Sequence, residues 1–263
     1  MKTATWRAAI GLFVLAGFAF GGPLVYRVDP TAIDLANTSA VISANHPLGT
    51  DESGRDVLAR LMAGGRISLV VGVAAGLVAL VAGTLVGILA ASRRRWLASL
   101  WSRLLDAALA IPAFFLLLVV MTLFGGSTAT LVAGIGLTAW MGIARLVRAE
   151  ALTLREREFL TAAEALGQSR WGLFRHHLLP QLAPTLAAAA SVGVAQAVLT
   201  ESALSFLGLG IAPPRASWGN MLTGAQQNLA TAPWLAVYPG CLIVLTVLAC
   251  NAIGEAAGGT ATS

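Results

Sequence analysis

The sequence predicts an all-α polytopic membrane protein with six transmembrane helices, and three observations carry that prediction. Of 263 residues, 57% are hydrophobic and only 11% are charged, where soluble domains carry about a quarter charged residues. Uncharged runs long enough to cross about 30 Å of hydrocarbon recur along the chain. The charges that remain fall between those runs, and the positive ones favour alternate connections.

Residues 1–6 form a short N-terminus. Nineteen uncharged residues lie between Arg7 and Arg27, giving a first span at 7–26. A cleaved leader is the rival reading, but the length of the run and its lack of a clean A-x-A site favour an uncleaved span. Residues 27–66 hold Pro30, Pro47 and the turn-prone stretch NHPLGTDESGRD, and are expected to be an extramembrane loop. A second span, 67–92, stops at Arg93, Arg94 and Arg95. From Ala107 to Ala144 no charge occurs for 38 residues, too many for one crossing. Gly125, Gly126 and Ser127 divide it into spans at 104–124 and 128–147, with Pro112 expected to kink the first. A charged loop at 148–181 follows. Pro184 is expected to initiate a fifth span, 182–207. An outer loop, 208–232, leads to a sixth span, 233–254, and to a tail, 255–263, expected to be disordered.

Orientation follows from the positive charges. With both termini cytoplasmic, twelve of the seventeen Lys and Arg residues lie inside and five outside, namely Arg27, Arg55, Arg60, Arg66 and Arg215. Loop charge therefore explains the net charge of +5, and no nucleic-acid partner is expected. Gly72 with Gly76, Gly83 with Gly87, and the run from Ala187 to Ala190 would permit close helix approach, although lipid-facing small residues would give the same spacing.

Six of the basic residues and four acids crowd into the stretch from Arg145 to Arg175. Its periodicity predicts two short amphipathic helices. Phe159, Ala163 and Leu166 form one apolar stripe, ended by Gly167; Trp171, Phe174 and Leu178 form another, capped by Ser169 and closed by Pro180. Such a knob either lies on the bilayer surface or docks a partner.

The chemistry the chain excludes is informative. Lysine occurs once, at position 2, so no G-x-x-x-x-G-K-[ST] phosphate loop exists. His176 and His177 are adjacent and point to different helix faces, which suits structural roles better than metal ligation. Cys241 and Cys250 are too far apart along one helix to bridge. No enzyme activity, cofactor or metal is expected in this chain. Asp106 is expected to pair with Arg103 near the cytoplasmic surface. Glu201, late in the fifth span, either serves helix packing or lines a pathway. An ion-coupled secondary transporter is the rival function, but related halves and mid-span ionisable groups are not evident.

The stretch from Thr161, T-A-A-E-A-L-G, followed by nine residues and then His177, Leu178, Leu179 and Pro180, resembles the EAA motif of ABC-importer permeases. Thr161 stands where that motif has glutamate, and His177 where it has isoleucine. HPLGTDESGRDVLARLMAGGRISL from His46 and ESALSFLGLGIAPPRASWGNML from Glu201 are similar to the hallmark stretches of the dipeptide/oligopeptide/nickel permease family, in its second, C-type subunit. The resemblance implies a type I ABC importer transmembrane-domain fold in a bacterial inner or plasma membrane. It implies a homologous B-type permease, two ABC ATPase subunits that bind ATP and Mg, and an extracytoplasmic substrate-binding protein. The cargo would be di- or oligopeptides, or alternatively nickel or a metal chelate. By the same resemblance Glu158, Thr161, Ala162, Ala163, Gly167, Leu179 and Pro180 belong to the ATPase-coupling segment. Asp51, Glu52, Arg55 and Asp56 are candidates for contact with the binding protein, against a self-paired, solvated turn.

Overall fold

A computed structural model describes residues 2–158, 163 and 166–259. Its regular elements are helices, joined by loops with one isolated bridge between Thr50 and Asp56. Helix α1 (Lys2–Ala16) passes through a π-helical turn, Gly17–Gly21, into a short helix, Gly22–Val25. Helix α2 covers Val57–Ala90, α3 Arg95–Leu109, α4 Ala113–Phe124 and α5 Thr128–Arg155. A helical rod then starts at Arg170–Leu173, widens into a π-helical turn at Phe174–Leu178, and continues as α6 (Leu179–Phe206). Helices α7 (Trp218–Gln226) and α8 (Trp234–Gly259) complete the chain.

Five of these are long and apolar enough to cross a membrane, or six if the bent pair α3/α4 counts as one broken span. Counted as six, alternate crossings put the start of α1, the turn at 91–94, the end of α5, the turn at 166–169 and the end of α8 at one end, here called the basic end. The 26–56 and 207–233 segments share the opposite end.

Several boundaries differ from those expected, each for a local reason. Helix α2 starts ten residues before the predicted 67, because Asp56 caps it: its Oδ1 accepts the Ala59 N–H at 2.8 Å. The predicted span 104–124 is two helices meeting at 78°. Pro112 has no N–H to donate and biases Ile111 away from helical backbone, so the ladder breaks there. Helix α4 alone, twelve residues, reaches only about 18 Å. Helix α3 exposes Trp96, Leu100 and Leu104 along one stripe and buries Leu105. No ion pair joins Arg103 to Asp106 among the described residues, and Asp106 is exposed. Helix α5 runs on to Arg155, shortening the charged loop.

Pro180 does not close a helix and Pro184 does not open one; both lie within the rod. The widened π-helical turn just before Pro180 separates its ring from the preceding carbonyls, which removes the clash that would otherwise break the helix. The rod from Trp171 to Phe206 is thus one 36-residue helical body. Of the tail expected to be disordered, 255–263, residues 255–259 are helical, and 260–263 lie outside the described residues. Gly254 and Gly258 let that last stretch rest against Ala188 of α6.

Small residues bring the helices together. A Cβ at Gly83 would lie 2.8 Å from the Trp140 carbonyl oxygen, and one at Gly87 2.8 Å from that of Ala144. Gly72 and Gly76 face Val198 and Val194 of α6. Helix α2 is consequently the central element, in close contact with α5 on one side and α6 on the other.

Candidate functional site

Three features stand apart from generic helix packing: a knob at the basic end, a cap at the opposite end, and a groove between them.

The knob is the turn that feeds the rod. Gly167 has φ +81°, a left-handed conformation that glycine adopts without strain. The Gln168 N–H returns to the Ala163 carbonyl at 3.2 Å. Ser169 then caps the rod, its Oγ accepting the Gly172 N–H at 3.1 Å. The His177 ring and the Gln168 side chain hydrogen-bond at 2.8 Å across the turn. The Trp171 and Phe174 rings meet at 5.4 Å. Ala163 and Leu178 face inward. Leu166 does not join them as the apolar stripe predicted; it is 89% exposed, and Trp171 is 67% exposed beside it. Among the described residues, none lies within 4 Å of a Cβ placed at Gly167. Glu158 is exposed at the end of α5's connection, Leu179 and Pro180 lie in the rod, and Thr161 and Ala162 lie outside the described residues.

The cap is built by the stretch around HPLGTDESGRD and by the 207–226 segment. Asp51 accepts the Arg55 Nε–H at 2.8 Å and the backbone N–H of Ser53 and Arg55, and forms an ion pair with Arg60, whose Nε lies 3.2 Å away. Asp56 caps α2 and also accepts the Tyr26 hydroxyl at 2.8 Å, with the His46 Nδ1 at the same distance. Burial, helped by that bond to the Asp56 carboxylate, pushes the Tyr26 phenol up to about 12. Gly54, with φ +76°, lies against the Asp34 backbone where no Cβ fits. Of the four candidate contact residues, Asp51, Arg55 and Asp56 are therefore buried in internal pairs. Only Glu52 is exposed. It lies over Gly224 of α7, beside a cavity of ≈ 300 Å³ that Arg55, Arg60, Asn220 and Gln227 also line.

Helix α7 is seated on α2 through Trp218, which is fully buried and donates its indole N–H to the Leu61 carbonyl at 3.0 Å. A Cβ at Gly65 would come within 2.9 Å of that ring. Ser217 and Asn220 close a reciprocal capping box at its start. Beneath the cap lies Glu201, fully buried and hydrogen-bonded by Ser68 and Ser205.

The groove opens between α4, α5 and α6, with a volume of ≈ 720 Å³. Phe114, Leu117 and Ile143 make it apolar, and Thr138, Gln196 and Thr200 are its polar members; no charged residue lines it. Neither Asp106 nor Glu201 contributes. Sequence reading missed this wall because its signal on α6, Gln196 and Thr200 four residues apart, is faint amid alanine and valine.

Residues 83–258 match the family model described as the binding-protein-dependent transport system inner membrane component. The chain belongs to this family. The matched region runs from the α2–α5 seam through the knob and groove to the end of α8. Over 255 residues this permease is 41% identical to a Brucella suis protein named, provisionally, as a peptide permease, covering 95% of this chain and 84% of that one. It is 36% identical to the dipeptide transport system permease protein DppC of Alkalihalophilus pseudofirmus, covering 94% and 83%. It is equally 36% identical to the oligopeptide transport system permease protein OppC of Escherichia coli, covering 95% and 84%. These relatives make it a C-type permease. An inward-facing structure of the MetNI methionine ABC transporter superposes with a TM-score of 0.61 at 21% identity, over 76% of this chain and 95% of that one. That likeness fixes the fold as the type I importer permease fold.

Proposed function

We propose that this permease, paired with a homologous B-type permease, forms the inward pathway for di- and oligopeptides and is driven by ATP hydrolysed on two separate ATPase subunits. ATP and Mg are bound on those partners, and this chain supplies the moving wall. The names of the 36–41% identical relatives support peptides as cargo. A wall without charges suits a zwitterionic chain, since a fixed charge at membrane depth would bind one end of the peptide and reject the other.

The observation that carries the reading is the knob. A glycine turn and a serine cap fix its angle on the rod, and Leu166 and Trp171 stand exposed among the described residues. Two large apolar side chains on a small, well-tied projection suit insertion into a groove on an ATPase. Closure of the ATPases then moves the rod as a rigid body. The twelve-to-five charge bias puts the knob and both termini in the cytoplasm. The opposite end faces the substrate-binding protein, with Asp29, Asp34 and Glu52 as exposed acids. Co-purification of the ATPase subunits with the wild-type permease, and their loss on Leu166→Asp with Trp171→Asp, tests this. Retention of the ATPases by that double variant would contradict it.

A further inference from the structure

We propose that Glu201 clamps the outer cap to the helical rod, so that load placed on the cap by a docked binding protein reaches the knob through one continuous helix. The inference rests on the functional reading above for its direction of coupling, but the clamp itself stands on geometry alone.

Glu201 lies five residues from the outer end of the rod and is 0% exposed. No cation pairs with it among the described residues. Instead Ser68 Oγ, from α2, donates to Oε2 at 2.8 Å, and Ser205 Oγ donates to Oε1 at 2.7 Å. Each serine oxygen then accepts a backbone N–H from the cap. Ser68 takes that of Trp218 at 3.2 Å, and Ser205 that of Ile211 at 3.1 Å. Trp218 is the first residue of α7, where the N–H has no partner within the helix.

The chemistry gives this arrangement a direction. A hydroxyl has one proton and two lone pairs. When the proton goes to the carboxylate, the oxygen is left to accept from the cap. A carboxylate accepts on both oxygens and so orients both arms alike; an amide would accept on one side and donate on the other. A leucine of similar volume would pack here without the cost of burying an acid. The acid is accounted for by what it holds: two cap amides more than 130 residues from Ser68 in one case and at the close of a tight loop in the other. Gly210 and Gly219 permit the approach, since a Cβ at either would run into Ser205 or Ser202.

The other end of the same rod is Ser169 and the Gly167 turn. The 36 residues from Trp171 to Phe206 span about 54 Å at 1.5 Å per residue. Cap and knob are thus attached to opposite ends of a single element.

The test uses the complete transporter in lipid nanodiscs, with trialanine-loaded binding protein as the probe. Amide hydrogen exchange comes first. Ser68→Ala should speed exchange at Trp218 alone, Ser205→Ala at Ile211 alone, and Glu201→Ala at both, by roughly tenfold or more. Glu201→Gln should keep one arm and lose part of the other. The second readout is the ratio of stimulated to basal ATP hydrolysis. It should fall toward one in Glu201→Ala, and fall by less in each serine variant and in Glu201→Gln. That graded order is not expected of a residue that merely fills space. Should Glu201→Ala prevent assembly, the serine variants decide alone. Unchanged exchange at both amides overturns the clamp. Faster exchange with an unchanged ratio overturns its part in coupling. A wild-type transporter that loaded binding protein does not stimulate would instead overturn the functional reading, with the exchange pattern still deciding the clamp.

Discussion

Single residues set the conformations on which both ends of this permease depend. Gly167 is held at φ +81° with no described residue within 4 Å of a Cβ placed there, so a substitution is opposed by backbone strain of about 1–2 kcal/mol. Gly167→Val is expected to insert and fold normally but to lose roughly tenfold or more of transport, as the knob swings out of register; uptake normalised to membrane-inserted protein measures this. Asp56 does three jobs, capping α2 and holding Tyr26 and His46. Asp56→Ala should lower stability by about 1–2 kcal/mol from the lost cap alone, seen as a lower thermal midpoint in detergent. Tyr26 makes the same contact titratable. Its folded pKa is raised from 10.0 to about 12, so the folded state holds the proton more tightly than the unfolded chain. The resulting stability is fully present below pH 10 and is lost as pH rises through about 12. The chain has two tyrosines. Alkaline ultraviolet titration should show a late phase near pH 12 that Tyr26→Phe abolishes, and persistence of that phase would count against the assignment.

At the scale of elements, the glycines separate packing from passage. Gly87 touches the Ala144 carbonyl, whereas Gly142 lines the groove with nothing within 4 Å of a Cβ. Gly87→Leu should therefore drive α2 from α5 and abolish the folded protein, since backbone cannot yield as a side chain can. Gly142→Leu should fold and assemble yet block uptake. Size-exclusion profiles and uptake, measured together, distinguish the two. The helices themselves were legible in the sequence, because long uncharged runs leave few alternatives at this composition. Their ends were less so. Asp56 could be recognised as a cap only with Ala59 already helical. Pro180 reads as a terminator unless the widened turn before it is known. Pro112 was seen as a kink, but a 78° break that frees α3 as a separate amphipathic helix needs the third dimension. Leu166 fits an inward stripe by spacing and points outward in the fold.

For the whole molecule, the sequence carried the family through local motifs, while the groove and the buried hub at Glu201 depend on residues far apart in the chain. Ser68 and Glu201 are separated by 133 positions, and no periodicity links them. The wall of Thr138, Gln196 and Thr200 likewise joins positions on two helices that lie outside both motifs. The account as a whole requires that energy enter from partner chains at the knob and that the permease possess no drive of its own. The most direct measurement is peptide accumulation in sealed proteoliposomes. The complete assembly, with binding protein and ATP, should concentrate trialanine against its gradient; omission of the ATPase subunits should abolish this under any imposed proton or sodium gradient. Uphill uptake by the permease subunits alone, powered by an ion gradient, would contradict the account.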